Sequence, residues 1–261
     1  MKKNIIIAGL LTLLSMSVQS QQYTGLTGLI HTPSAEMNFE GNVRIGTHYM
    51  DKHFTPDAFD FQGKYNTADY YLSITPFSWA EVAYTCTLQK NYRRDSHANI
   101  ISDESRYYYQ DRYFSIKIRP LKEGKWWPAI AVGANDPLGT LGDKGTNHDN
   151  MTPINGDGKS EYFCNYYIAA TKHFAFKVGE LGVHAAYRKW KRDFNSKWNG
   201  VVGGITYTPS FARNLRTIAE YTGHEVNIGA DCLLWKHLLI QASLQECRYF
   251  SGGICFQMNL F

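Results

Sequence analysis

The sequence predicts an all-β fold: a transmembrane antiparallel β-barrel of about twelve strands. Three observations carry this reading. After residue 42, apolar and polar residues alternate with period 2 in segment after segment. The links between these segments are alternately short and long. Aromatic residues gather at the segment ends. The bulk composition agrees. Charged residues are only 19% of the 261-residue chain, while Tyr and Gly number 18 and 22, and the mean hydropathy is −0.37. No apolar run of about 20 residues follows the first twenty positions, which excludes a helical membrane bundle.

The N-terminus reads as a secretory leader. Lys2 and Lys3 are its basic region and Ile5 to Leu14 an apolar stretch too short to span a bilayer. Val18 and Ser20 are the small residues before a cut, giving Gln21 as the new first residue. The absence of Cys at that point argues against a lipid anchor. The expected organisation is a signal peptide over 1–20, an N-terminal periplasmic or lumenal segment over 21–42 and a barrel over 43–261. Gly25 and Gly28 permit backbone shapes closed to other residues, and Pro33 with Ser34 marks a turn or short helix start. The segment 23–40 is expected to tuck into the periplasmic mouth, with a plain lead-in as the alternative.

The predicted strands are 43–50, 68–75, 80–90, 108–119, 127–136, 161–173, 177–190, 199–208, 213–222, 225–234, 237–248 and 252–261. The alternation is clearest late in the chain. Val226, Ile228, Ala230, Cys232 and Leu234 interleave with Asn227, Gly229, Asp231 and Leu233, and in a strand the two sets point to opposite faces. Alternation alone also fits a sandwich. Link length separates the two: 76–79, 120–126, 174–176, 209–212 and 235–236 are short, whereas 51–67, 91–107, 137–160 and 191–198 are long. Long and short loops therefore fall at opposite ends, as in outer-membrane barrels.

Phe77, Trp79, Trp126, Trp127, Phe174, Phe176, Phe211 and Trp235 mark the short turns. Tyr49, Tyr92, Tyr107, Tyr108, Tyr109, Trp190, Trp198 and Tyr249 mark the other end. Two such belts are what amphipathic rings form at the two membrane interfaces. Phe261 is a common last residue for such barrels, although it falls out of phase with Ile254, Phe256, Met258 and Leu260.

Arg44, His48, Glu81, Lys117, Arg119, Asn165, His184, Arg188, Arg216, Glu220, Asp231 and Gln241 occupy the polar register and are expected to face the lumen. A charge on the opposite register would cost about 2–4 kcal/mol near the midplane. These residues form either a satisfied network filling a narrow barrel or a charged path for an anionic polymer. Two basic clusters, Lys90, Arg93 and Arg94, then Arg188, Lys189, Lys191 and Arg192, are placed at outer loops. There they are expected to be solvated or to bind lipopolysaccharide phosphates, or, on the sharper reading, to hold an acidic polysaccharide. The net charge of +4, with no accompanying motif, gives no nucleic-acid signature.

No catalytic constellation emerges: neither a GxSxG elbow nor an HExxH helix is present. No metal site or cofactor is expected. The oxygen-rich stretch Asp143, Asn147, Asp149, Asn155 and Asp157 lacks EF-hand spacing. The five cysteines, Cys86, Cys164, Cys232, Cys247 and Cys255, lie in predicted strands without CxxC spacing. They read as small wall residues, with a Cys247–Cys255 cross-strand disulfide as the sharper alternative.

Three segments resemble the YjbH family of outer-membrane proteins. Thr24 to Ala35 (TGLTGLIHTPSA), followed by Glu40 to Gly46 (EGNVRIG), resembles the family's opening. Phe114 to Thr140 (FSIKIRPLKEGKWWPAIAVGANDPLGT) is similar to its K-x-R strand, EG turn, PA-x-AVG strand and D-x-x-GT loop. Tyr162 to Lys172 is similar to the strand ending in A-x-K. The resemblance implies a non-enzymatic barrel in exopolysaccharide or capsule export or assembly, in the outer membrane, with export proteins and acidic polysaccharide as partners. A general small-solute channel and an outer-membrane hydrolase are the alternatives.

Overall fold

In a computed structural model the chain is described over residues 19–55, 66–94, 100–139 and 161–260. Residues 1–18 of the expected leader, Phe261 and the oxygen-rich stretch over 143–157 lie outside these residues, whereas Gln19 and Ser20 lie within them. So do the side chains of residues 89–109, including Tyr92 and Tyr107 to Tyr109.

Twelve antiparallel strands close into one barrel in simple up-and-down order: β1 (Asn42–Met50), β2 (Thr67–Phe77), β3 (Ala80–Arg94), β4 (Ile100–Leu121), β5 (Ala129–Asn135), β6 (Asn165–Phe176), β7 (Gly179–Trp190), β8 (Gly200–Pro209), β9 (Leu215–Tyr221), β10 (Val226–Leu234), β11 (Leu238–Gln245) and β12 (Tyr249–Asn259). β1 closes on β12 with Asn42 opposite Asn259, so the chain enters and leaves at the short-turn end. Closure pairs every strand on both sides and removes the edges an open sheet would present.

The alternation sets the two faces as read. On β11, Gln241, Ser243 and Gln245 are buried inside while Ile240 and Leu244 are exposed outside. An exposed apolar band runs round the outside through Ile45, Leu72, Ile116, Val132, Ile168, Val183, Ile205, Ile228 and Ile254. Phe77, Trp79, Trp126, Trp127, Phe174, Phe176, Phe211 and Trp235 are exposed at the short-turn end. Tyr49, Tyr166, Tyr187, Tyr221 and Phe250 are exposed towards the other. Apolar in the middle and aromatic at both rims is the surface that a bilayer solvates.

The turns are tight. Trp235 and Lys236 between β10 and β11, and Glu246 and Cys247 between β11 and β12, all have positive φ. Two successive left-handed residues make a type I′ turn, whose twist matches that of the flanking strands. On the long-loop side β3 and β4 outrun their neighbours. β3 pairs with β2 only as far as Leu88, yet with β4 out to Arg94 opposite Ile100. A two-stranded hairpin thus stands beyond the rim.

Several expectations are corrected. Of residues 23–40, expected at the mouth, only Phe39 and Glu40 are exposed at the short-turn rim, where Glu40 accepts from the Ser78 N–H. Residues 19–38 run through the lumen and are buried along almost their whole length. The segment doubles back in a tight turn closed by a Gly28–Pro33 bridge and the Leu29 N–H to Thr32 O bond at 3.0 Å. Pro33 therefore ends a turn and starts no helix. Lys90, Arg93 and Arg94 lie on strand β3 of the protruding hairpin, because its ladder continues where a loop was expected. Trp190 and Trp198 are inside, packed with Tyr23, Met50, Phe54, Tyr113 and Phe163 in an apolar cluster at the long-loop end of the lumen. Cys164 precedes β6, and Cys247 sits in the last turn, outside any strand. All five cysteines are free thiols. Cys255 lies opposite Leu239 and Gly46, which excludes the cross-strand bond to Cys247.

The plug meets the wall where the wall lacks side chains. Leu29 Cδ1 would lie 2.7 Å from a Cβ at Gly204 on β8, and Ile30 Cδ1 2.9 Å from one at Gly229 on β10. Within the plug, Gly25 turns at φ +81, and a Cβ there would meet that of Ala83 at 2.9 Å. Only glycine fits both the left-handed backbone and the contact.

Candidate functional site: the plugged lumen

A narrow lumen lined by charged side chains must pair them, because an unpaired buried charge costs several kcal/mol. Here the plug supplies much of the pairing. Lys117 Nζ on β4 lies 2.9 Å from Glu81 Oε2 on β3 and donates to Thr27 O at 2.6 Å. Glu81 Oε1 accepts from Thr27 N–H at 3.0 Å and Thr27 Oγ1 at 2.7 Å. Arg44 on β1 donates to Gln257 at 3.1 Å, to Asn38 Oδ1 at 2.6 Å and to the side chain of Gln21.

The turn of the plug is held more firmly still. Glu220 on β9 accepts the successive backbone N–H groups of Ile30, His31 and Thr32 at 3.1, 2.9 and 2.9 Å. Asn227 supports it by donating to Oε1 at 2.8 Å. Arg188 on β7 donates to His31 O at 2.7 Å and to Thr222 O at 3.0 Å. The His31 ring stacks among Tyr23, Trp190 and Trp198. Burial, together with the adjacent Arg188 and Lys197 charges, holds that imidazole neutral by lowering its pKa well below the usual value.

Where the plug returns to the short-turn end, Glu36 meets Arg216 on β9. Arg216 Nη1 donates to both Glu36 oxygens at 2.9 and 3.1 Å, and its Nη2 lies 3.2 Å from Asp231 Oδ2 on β10. His184 on β7 sits between Thr171 and Thr206 at 3.0 and 3.1 Å, and Thr171 accepts from Ala35 N–H at 3.0 Å. A cavity of 530 Å³ opens at this end. It is lined by Gln19, Glu36, Glu123, His173, Glu180, Thr206 and Arg216 among others. Glu36, His173 and His184 bring one potential metal-ligand atom each to within 4.8 Å of one another. Glu123, in the β4–β5 turn, closes on His173 Nδ1 at 2.7 Å and Lys172 Nζ at 3.0 Å. Burial alone would raise its pKa, but hydrogen bonds with His173 and Lys172 hold it below the usual carboxylate value.

The polar register is thus largely a plug receptor. Arg44, Glu81, Lys117, Arg188, Arg216, Glu220 and Gln241 touch the plug directly, the last by donating to Ser20 at 2.8 Å. Asp231 fixes Arg216, His48 lies 3.1 Å from the Gln241 side chain, and His184 reaches the plug through Thr171. Asn165 faces inward but binds Asn135, and Arg119 stands apart, donating to Ser78 O at 2.7 Å in the β2–β3 turn. The second basic cluster does not act as one surface. Arg188 points inward, Lys189 outward, and Lys191 and Arg192 both close on Glu161, at 2.6 and 2.8 Å. The side chains of Lys90, Arg93 and Arg94 lie outside the described residues. The partners that sequence reasoning missed are on the plug: Gln21, Thr27, His31, Glu36 and Asn38. They follow no alternating pattern, and the only signal marking the region was the TGLTGLIHTPSA resemblance.

Fold and site together define an outer-membrane type of transmembrane β-barrel whose lumen is filled by its own N-terminal segment. Residues 20–147 match the YjbH family, described as exopolysaccharide biosynthesis protein YbjH. This stretch, which holds the plug and the first five strands, is where the chain is similar to the YjbH family. It is 31% identical over 121 residues to the uncharacterized lipoprotein YjbH of Escherichia coli strain K12, covering 46% of this chain and 15% of that protein. The chain thus spans a small part of that relative's length. Among solved structures it is similar to outer membrane phospholipase A from Escherichia coli, with 12% identity, a TM-score of 0.37 and coverage of 85% of this chain and 98% of the other. A Salmonella typhi outer membrane phospholipase dimer with bound calcium gives 12% identity, a TM-score of 0.36 and coverage of 85% and 92%. At that level of likeness no chemistry is carried over.

Proposed function

We propose that this chain is a non-enzymatic outer-membrane component of exopolysaccharide or capsule export and assembly. It acts as a barrel held shut by its N-terminal plug until a partner or polymer engages it. The observation that carries the reading is the plug within a barrel whose residues 20–147 match the YjbH family model. Its acceptors and backbone amides occupy the lumenal Arg44, Lys117, Arg188, Arg216 and Glu220, leaving little of a standing charged path for free solutes. On this reading the short-turn end faces the periplasm, where the chain enters after its leader is cut near Ser20. The protruding β3–β4 hairpin then faces outward towards lipopolysaccharide and acidic polysaccharide. A general small-solute channel fits less well, since it needs an open lumen.

The test is deletion of the gene with measurement of cell-associated and secreted acidic polysaccharide, followed by complementation with the intact chain. Loss of the polymer, restored by complementation, is expected. Unchanged polymer in a strain that expresses the protein would overturn the proposal.

A further inference from the structure

We infer that Glu36, His173 and His184 form a site for a zinc-like divalent transition metal that clasps the plug to the barrel wall. The three come from places that no sequence spacing relates. Glu36 is on the plug, His173 near the short-turn end of β6 and His184 on the paired strand β7. Their ligand atoms lie within 4.8 Å of one another. Ligands about 2.0–2.1 Å from a tetrahedral ion stand about 3.3 Å apart, so a closure of up to about 1.5 Å completes the set. Two imidazoles and one carboxylate are a borderline donor set, suited to zinc and unsuited to calcium or magnesium, which take oxygen ligands.

The surroundings are those of a built site. His173 Nε2 faces Glu36 Oε1 at 3.3 Å, and an ion between them would take both atoms. The other ring nitrogen, Nδ1, lies 2.7 Å from Glu123 Oε2, the outer carboxylate that orients a ligating histidine. The Thr171 and Thr206 hydroxyls flank His184 and can either donate or accept, so they suit either tautomer. Arg216 adds a positive charge beside Glu36, but Asp231 shares that charge at 3.2 Å. The 530 Å³ cavity includes Glu36, His173 and Thr206 in its lining. It gives the ion a way in and leaves room for water to complete its coordination.

Because one ligand is on the plug and two are on the wall, binding does mechanical work that a surface site would not. The metal ties residue 36 to β6 and β7, and so holds the segment where it leaves the lumen.

The experiment uses the full chain in detergent, stripped with a chelator and titrated with Zn²⁺. Co²⁺ serves as a spectroscopic probe, and heat-modifiable gel migration confirms the folded barrel. We expect one tightly bound Zn²⁺ per chain, a visible Co²⁺ band of tetrahedral type, and slower amide exchange over residues 19–38 when metal is present. His173→Ala and the gentler Glu36→Gln should abolish the Co²⁺ band in folded protein, and Glu123→Gln should weaken binding about 10–100-fold. Absence of stoichiometric binding, or binding unchanged in folded Glu36→Gln and His173→Ala proteins, would overturn the inference. The second result would place the ion elsewhere on the chain.

Discussion

The Glu220 carboxylate receives the backbone N–H of His31 on both its oxygens, at 2.9 and 3.0 Å, inside the barrel. A wall side chain thus grips the plug by its backbone, which leaves the identity of the turn residues little role in that grip. Glu220→Ala should strand three buried N–H groups, each worth about 1–3 kcal/mol when unsatisfied. The expected outcome is a plug whose amides exchange faster over residues 28–33 within a barrel that still migrates as folded. Unchanged exchange would show that the carboxylate contributes nothing to the grip.

Glu81 and Lys117 are fully buried and share Thr27 as a ligand. Removing one partner of such a pair costs about 3–5 kcal/mol, whereas replacing both with apolar residues of similar size can be neutral. Glu81→Leu and Lys117→Met singly should therefore lower the midpoint of thermal unfolding more than the double variant does. Additive losses in the double variant would contradict the coupling.

Gly25 is the plug position where backbone and space agree on glycine. Gly25→Val should loosen the plug through both its φ of +81 and the 2.9 Å approach to Ala83. The control Gly200→Ala shares a positive φ but meets nothing within 4 Å. Both lose about 1 kcal/mol or more to the left-handed backbone, but only the first should speed exchange across residues 19–38.

Asp136, just after β5, is buried beside Asp111 and Glu161, and its pKa is pushed up to about 8 by burial first and these two carboxylates second. An acid whose folded pKa is raised contributes stability that is whole below its unfolded value, near 4, and lost as pH rises through the folded one. Thermal stability in detergent should fall between about pH 4 and pH 8, and Asp136→Asn should flatten that slope. An identical slope in the variant would show that other groups set it.

The barrel was legible because a wall between lipid and a polar lumen imposes a strict two-residue period. All twelve strands are found with boundaries shifted by a few residues. The largest extensions, in β3 and β4, lie where a free-standing hairpin needs no inward and outward faces. The inward placement of Arg44, Glu81, Lys117, Arg188, Arg216, Glu220 and Asp231 followed from the same period. Their partners did not, because an extended segment buried on all sides has no face to alternate. Glu36 looks like any acidic residue until Arg216 lies 2.9 Å away, and His173 and His184 become neighbours only through the β6–β7 register. Trp190 and Trp198 were misplaced for a related reason. Aromatics at strand ends serve equally as membrane belts and as a lid over the plug, and only the side on which they fall decides.

The most direct test of a barrel closed by its own N-terminal segment is single-channel conductance in planar bilayers, comparing the intact chain with a variant lacking residues 19–38. The intact chain should be electrically silent, and the plug-less barrel should open steady channels that acidic polysaccharide blocks. Equal, steady conductance from both would show that the segment does not close the lumen and would contradict the account.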